Sequence, residues 1–134
     1  MKKKIDTAII GAGYVGLTLA IYMAMKGSNV IVLDHDEEKI SNLKNGKSTI
    51  YEEGLNNVFL ECISNGKLNF TSDANIVSSN WIIAISYFPG DIKKYIDVLK
   101  IIKTDGDKPP AIMIRGTVPL GYTRKFLLPE LEKI

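Results

Sequence analysis

The chain has 134 residues, a length that one domain with a real hydrophobic core fills. Its 46% hydrophobic and 24% charged residues are the balance of an ordinary globular protein, and a net charge of +2 with scattered lysines gives no footprint for nucleic acid. One cysteine rules out an intramolecular disulfide and fits a reducing cytoplasm.

Taken in chain order, Thr7 to Ile10 read as a short buried strand, and a helix follows from about Tyr14 to Lys26, ending at Gly27. Lys2 to Lys4 ahead of nineteen uncharged residues, Thr7 to Met25, imitate a signal peptide or a membrane span. Three glycines and Asp6 break that pattern, and no small-x-small cleavage site follows it. A second strand covers Asn29 to Asp34. Asp36 then has the position of an N-cap, with Glu37 and Glu38 placed to favour the helix dipole. Ile40 and Leu43 face inward, and Gly46 closes that helix.

A third helix spans Gly54 to Ser64, with Leu55, Val58, Phe59, Cys62 and Ile63 on one face. Lys67 to Thr71 form a third strand, and Asp73 caps a brief helix reaching Ser78. The continuous apolar run Trp81 to Ile85 is a strand covered on both faces. Ile92, Tyr95, Ile96, Leu99 and Ile102 give an amphipathic helix, Ala111 to Ile114 a fifth strand, and Gly121 to Leu128 a last helical segment. Five strands alternating with helical segments predict an α/β fold: a Rossmann-type doubly wound parallel sheet in the order 3-2-1-4-5, as a single domain. Its ligand rim, at the carboxyl ends of the strands, carries Gly11 to Gly16, Asp34, Ser86 to Pro89 and Gly116 to Pro119.

The chemistry is most legible where the first strand ends. Gly11 permits a tight turn out of the strand, Gly13 leaves no side chain between backbone and a pyrophosphate, and Gly16 lets the helix pack closely on the sheet. The helix start at Tyr14 and Val15 offers free N–H groups and the positive end of a dipole. Asp34, eighteen residues past Gly16, is placed to accept both hydroxyls of a ribose. A carboxylate there repels a 2′-phosphate, so the cofactor expected is NAD and not NADP.

Four segments extend the likeness beyond a generic dinucleotide fold: Gly11-Ala12-Gly13-Tyr14-Val15-Gly16-Leu17, Asp34 with Lys39, Ile50-Tyr51-Glu52-Glu53-Gly54-Leu55, and Gly116-Thr117-Val118-Pro119-Leu120-Gly121. With these the chain resembles the NAD-binding domain of the UDP-glucose/GDP-mannose dehydrogenase family, and the Ile-Tyr-Glu form is more similar to its UDP-glucose branch. The resemblance implies oxidation of C6 of a nucleotide-linked sugar to a carboxylate with two NAD. It places the Val15 backbone against the pyrophosphate, Asp34 at the adenosine ribose, Lys39 beside it, and Thr117 toward the nicotinamide. Where the family has Val-Gly-Thr-Pro after the fourth strand, this chain has Ile85-Ser86-Tyr87-Phe88-Pro89. Ser86 then supplies the hydroxyl, beside two bulky rings.

On the same resemblance, the family's sixth strand, dimerising helix, sugar-binding domain and nucleophilic cysteine lie beyond Ile134. The chain is therefore expected to bind NAD and not to catalyse. Cys62, on an apolar helix face, is expected to pack. His35 reads as a solvated loop residue and Glu52 and Glu53 as ordering the entrance to the third helix. Lys39 is balanced between cofactor contact and pairing with nearby carboxylates. Two other readings stand beside the first. One is a stand-alone nucleotide-binding module. The other is a different NAD-dependent dehydrogenase, against which Thr117-Val118-Pro119 argues.

Overall fold

The computed structural model describes residues 4–79, 81–85, 93, 96–97, 100–101 and 110–133. Ser86, the Tyr87-Phe88 segment and most of the helix expected over Ile92 to Ile102 lie outside the described residues. Strands β1 (Thr7–Ile10), β2 (Val30–Leu33), β3 (Leu68–Thr71), β4 (Trp81–Ile85) and β5 (Ala111–Arg115) form one sheet. The order is β3-β2-β1-β4-β5, and each of the four neighbouring pairs is parallel. This is the doubly wound sheet expected, with β1 at its centre: Ile9 lies opposite Val32 on one side and Ile83 on the other.

Helices α1 (Tyr14–Met25), α2 (Glu37–Lys44) and α3 (Leu55–Ser64) fill the connections from β1 to β3. In α1 the small residues Gly16, Ala20 and Ala24 recur every fourth position and are all buried, with Leu17 and Ile21 beside them. That stripe brings the helix axis close to the sheet. Ile9, Leu17, Ile21, Val32, Phe59 and Phe70 belong to the larger core layer. The opposite face of the sheet holds a smaller layer of Ala8, Ile10, Ile31, Leu33, Val77 and Ile82. Burying a side chain such as Phe59 or Leu17 contributes about 1.5–3 kcal/mol each.

Several boundaries shift by a residue or more. Helix α1 stops at Met25, and Gly27 follows with a φ of +103°, a conformation that favours glycine. The brief helix after Asp73 is a single turn, Ala74–Ile76, ending before Ser78; Asp73 does cap it, accepting the Asn75 N–H at 2.9 Å. Asp36 caps α2 as read, accepting from the Lys39 N–H at 2.9 Å. In β4, Ile82 and Ile83 point to opposite faces and are both buried, but Trp81 at the start of the strand is half exposed. Coverage on both faces therefore holds at Ile82 and Ile83 and not at Trp81.

The last helical segment begins with a wide turn, Thr123–Leu127, closed by a Leu128 N–H to Thr123 C=O bond, and continues as α4 (Leu128–Leu131). It thus runs past the expected end at Leu128. Pro129, which has no N–H to give and crowds the carbonyl four residues earlier, is the local reason for a wide turn there. Among the described residues no helix is long and apolar enough to cross a membrane. The uncharged stretch Thr7–Met25 is divided instead between β1, the glycine turn and α1.

Candidate dinucleotide site

The site is built where β1 and β2 end side by side. Gly11 leaves β1 with a φ of +111° while its N–H still bonds the Leu33 C=O at 2.8 Å. An L side chain is strained at that angle, so the turn calls for glycine. Gly13 differs. It is the N-cap of α1 with φ −75° and ψ −173°, extended backbone open to any residue, and no side chain caps the helix there. The turn itself therefore does not call for glycine at position 13. The first N–H groups of α1, at Tyr14, Val15 and Gly16, have no intrahelical partner by construction. Tyr14 and Val15 are exposed and Gly16 is buried against the core.

Asp34 sits at the tip of β2 and is buried, with its own N–H bonded to the Thr71 C=O at 3.1 Å. Its Oδ2 accepts the Ala12 N–H at 2.8 Å and lies 3.5 Å from Lys39 Nζ; its Oδ1 accepts the Asp36 N–H at 3.0 Å. His35 is fully exposed, with Nδ1 3.5 Å from Asp34 Oδ1. Burial is the largest single influence on this carboxyl and pushes its pKa up. The two backbone N–H donors, of Asp36 and Ala12, followed by Lys39 and His35, outweigh it, and the net direction is down. The group is an ionised acceptor with lone pairs to spare, and that fits a ribose diol.

Lys39 thus does two things: its backbone N–H completes the α2 cap, and its ammonium pairs with the very carboxylate expected to hold the ribose. Thr117 is exposed, two residues past β5 on the same rim. Three strand spacings, about 14 Å, separate β2 from β5, so the strand ends that precede Asp34 and Thr117 stand apart on the rim. Ser86 lies outside the described residues.

Two contacts were not legible beforehand. One is the Ala12 N–H to Asp34 bond. The other joins the Tyr14 hydroxyl, as donor, to the Glu52 carboxylate across 38 positions of sequence. Glu52 also orders the entrance to α3 as expected, its C=O accepting the Leu55 N–H at 3.2 Å. Cys62 is buried in the α3 face, and burial, then Glu61, raises its thiol pKa. It packs, as read from the sequence.

The sequence model for the UDP-glucose/GDP-mannose dehydrogenase family, NAD binding domain, matches residues 5–134. The chain belongs to that family. It is an NAD-binding domain, and the glycine turn, the free start of α1 and the ionised Asp34 suit that cofactor. Among curated family members, it is 36% identical over 126 residues to the UDP-glucose 6-dehydrogenase of Campylobacter jejuni, covering 87% of this chain and 31% of that enzyme. Among solved structures, it is similar to the GDP-mannose dehydrogenase of Pseudomonas aeruginosa, with a TM-score of 0.85 and 24% identity over 96% of this chain and 32% of that one. The UDP-N-acetyl-mannosamine dehydrogenase of Staphylococcus aureus gives a TM-score of 0.82 and 25% identity, again over 96% and 32%. The chain spans about a third of the length of these family members.

Proposed function

We propose that this chain is the cofactor-holding part of a nucleotide-sugar 6-dehydrogenase of the UDP-glucose type. The diphosphate of NAD rests on the backbone of Gly11, Gly13, Tyr14, Val15 and Gly16, at the positive end of α1. Asp34 accepts the adenosine ribose hydroxyls, with Lys39 beside it. Ser86 and Thr117 serve the nicotinamide end. When bound, NAD accepts a hydride from the carbon being oxidised. The residues of this chain bind and orient it.

The observation that carries this reading is the state of Asp34: buried at a strand tip, ionised, and already fixed by the Ala12 and Asp36 N–H groups. A carboxylate so held meets two neutral hydroxyls without reorganisation and repels a 2′-phosphate. The UDP-glucose assignment rests on the 36% identity to the Campylobacter jejuni enzyme and on the Ile50-Tyr51-Glu52 form. The full reaction also needs a nucleophile and a sugar-binding surface, which are not among the roles proposed for this NAD-binding domain. A reducing cytoplasm fits the unpaired Cys62 thiol.

Calorimetric titration with NAD, NADP, ADP-ribose and AMP tests the reading. NAD is expected to bind more tightly than AMP or ADP-ribose, and far more tightly than NADP. Equal affinity for NAD, ADP-ribose and AMP would instead support a stand-alone nucleotide-binding module.

A further inference from the structure

The segment Ile50 to Leu55 has no part in the cofactor contacts above, yet the fold brings it to the first residue of α1. We propose that Glu52 is a positioning residue for the diphosphate end of the NAD site. By accepting the Tyr14 hydroxyl, it ties the strap between α2 and α3 to the first turn of α1 and holds that turn's free amides in place for the two phosphates. The inference rests on the reading that Gly11 to Gly16 cradle the diphosphate.

The strap is itself anchored on both sides of Glu52. Upstream, Ile50 is buried in the larger core layer, and its N–H bonds the Ser48 hydroxyl at 3.0 Å. Downstream, the Leu55 N–H to Glu52 C=O bond closes a four-residue turn whose third residue, Gly54, has φ +77° and ψ −20°. That is the backbone a type II turn demands of its third residue, and glycine supplies it. The backbone of Glu52 is thus fixed by core packing on one side and by turn geometry on the other.

Tyr14, by contrast, is 61% exposed and has little packing to hold its ring. Its N–H is one of the unpaired amides of α1, and its C=O accepts the Thr18 hydroxyl at 2.7 Å. The bond to Glu52 is what fixes its side chain, and it raises the Tyr14 hydroxyl pKa, through the hydrogen bond first and the carboxylate charge second. A residue held at both its backbone and its side-chain end gives a more uniform first turn than one held by the helix alone. An anion that needs several N–H groups aimed at once gains from that order.

The test is NAD affinity by titration calorimetry on the whole chain for wild type, Glu52→Ala, Glu52→Gln, Tyr14→Phe, the Glu52→Ala/Tyr14→Phe double variant, and Gly13→Ala. Glu52→Ala and Tyr14→Phe are each expected to weaken NAD binding about three- to tenfold, the range of one hydrogen bond. The double variant is expected to be no weaker than either single one, because both remove the same bond. Glu52→Gln, whose amide oxygen still accepts, is expected to stay within about twofold of wild type. An ultraviolet titration of the tyrosines reports the bond directly: one tyrosine of Glu52→Ala is expected to ionise at lower pH than in wild type. Gly13→Ala separates the two readings. If it leaves NAD affinity intact, the cradle itself is wrong. If it weakens binding while Glu52→Ala matches wild type, or if the two single losses multiply in the double variant, only the role of Glu52 is overturned.

Discussion

The Ala12 N–H donates to the Asp34 carboxylate at 2.8 Å, joining the glycine turn after β1 to the tip of β2. The bond makes Asp34 part of the turn's own framework as well as a ligand-facing group, so its substitution reaches both stability and binding.

Asp34→Ala leaves the buried Ala12 N–H without its acceptor. The expected cost is about 1–3 kcal/mol in urea unfolding, together with loss of NAD affinity by about a hundredfold, since two hydroxyl bonds to a charged group go as well. Asp34→Asn keeps one acceptor and is expected to lose less of both. Wild-type stability and NAD affinity in Asp34→Ala would contradict the site.

The pH dependence has a definite sign. The native state holds the Asp34 carboxyl pKa below its ordinary value, so the folded protein binds that proton less tightly than the unfolded chain. Its contribution to stability is fully present above the ordinary carboxylate pKa and is lost as pH falls through the lowered native one. Thermal unfolding with and without NAD, from about pH 3 to about pH 8, is expected to show flat stabilisation by NAD above the carboxylate range and a decline only on acidification. A decline centred near neutrality would assign the ribose contact to another group.

Gly11 and Gly13 are predicted to fail differently. Gly11→Ala places a Cβ at φ +111° and is expected to destabilise the fold by about 1–2 kcal/mol. Gly13→Ala asks nothing unusual of its backbone, so its unfolding free energy is expected to change by no more than about 1 kcal/mol while NAD binding is lost. Unfolding and titration on the same two proteins separate turn geometry from ligand clearance.

Cys62 offers an internal probe. Its burial and raised pKa keep the thiolate scarce, so a thiol reagent is expected to react far more slowly with native protein than with the urea-unfolded chain. Rapid native labelling would mean that α3 leaves the core readily.

Lys39 is a smaller lever. Its ammonium is partly exposed and 3.5 Å from Asp34, so Lys39→Met is expected to cost no more than about 1 kcal/mol of stability. The variant's NAD affinity is expected to fall modestly and to vary less with salt, which titration at two ionic strengths reads directly.

Local chemistry made much of this protein legible in its residues alone. Apolar runs bounded by Gly27, Asp36 and Gly46 located strands and helices, and the spacing from Gly11 through Gly16 to Asp34 marked the cofactor turn, because strand–turn–helix geometry constrains residue types one by one. Right-handed crossovers then left one sheet order to expect, and β3-β2-β1-β4-β5 is the order found. Which side chains meet across that sheet was a different matter. Nothing in the sequence pairs Tyr14 with Glu52, and Lys39 was as compatible with a cofactor contact as with pairing to a nearby carboxylate. The width of the turn ahead of Pro129 and the exposure of Trp81 belong to the same class. These depend on how α1, α2 and α3 lie against the strands, a balance of packing over the whole core that no short stretch of residues contains.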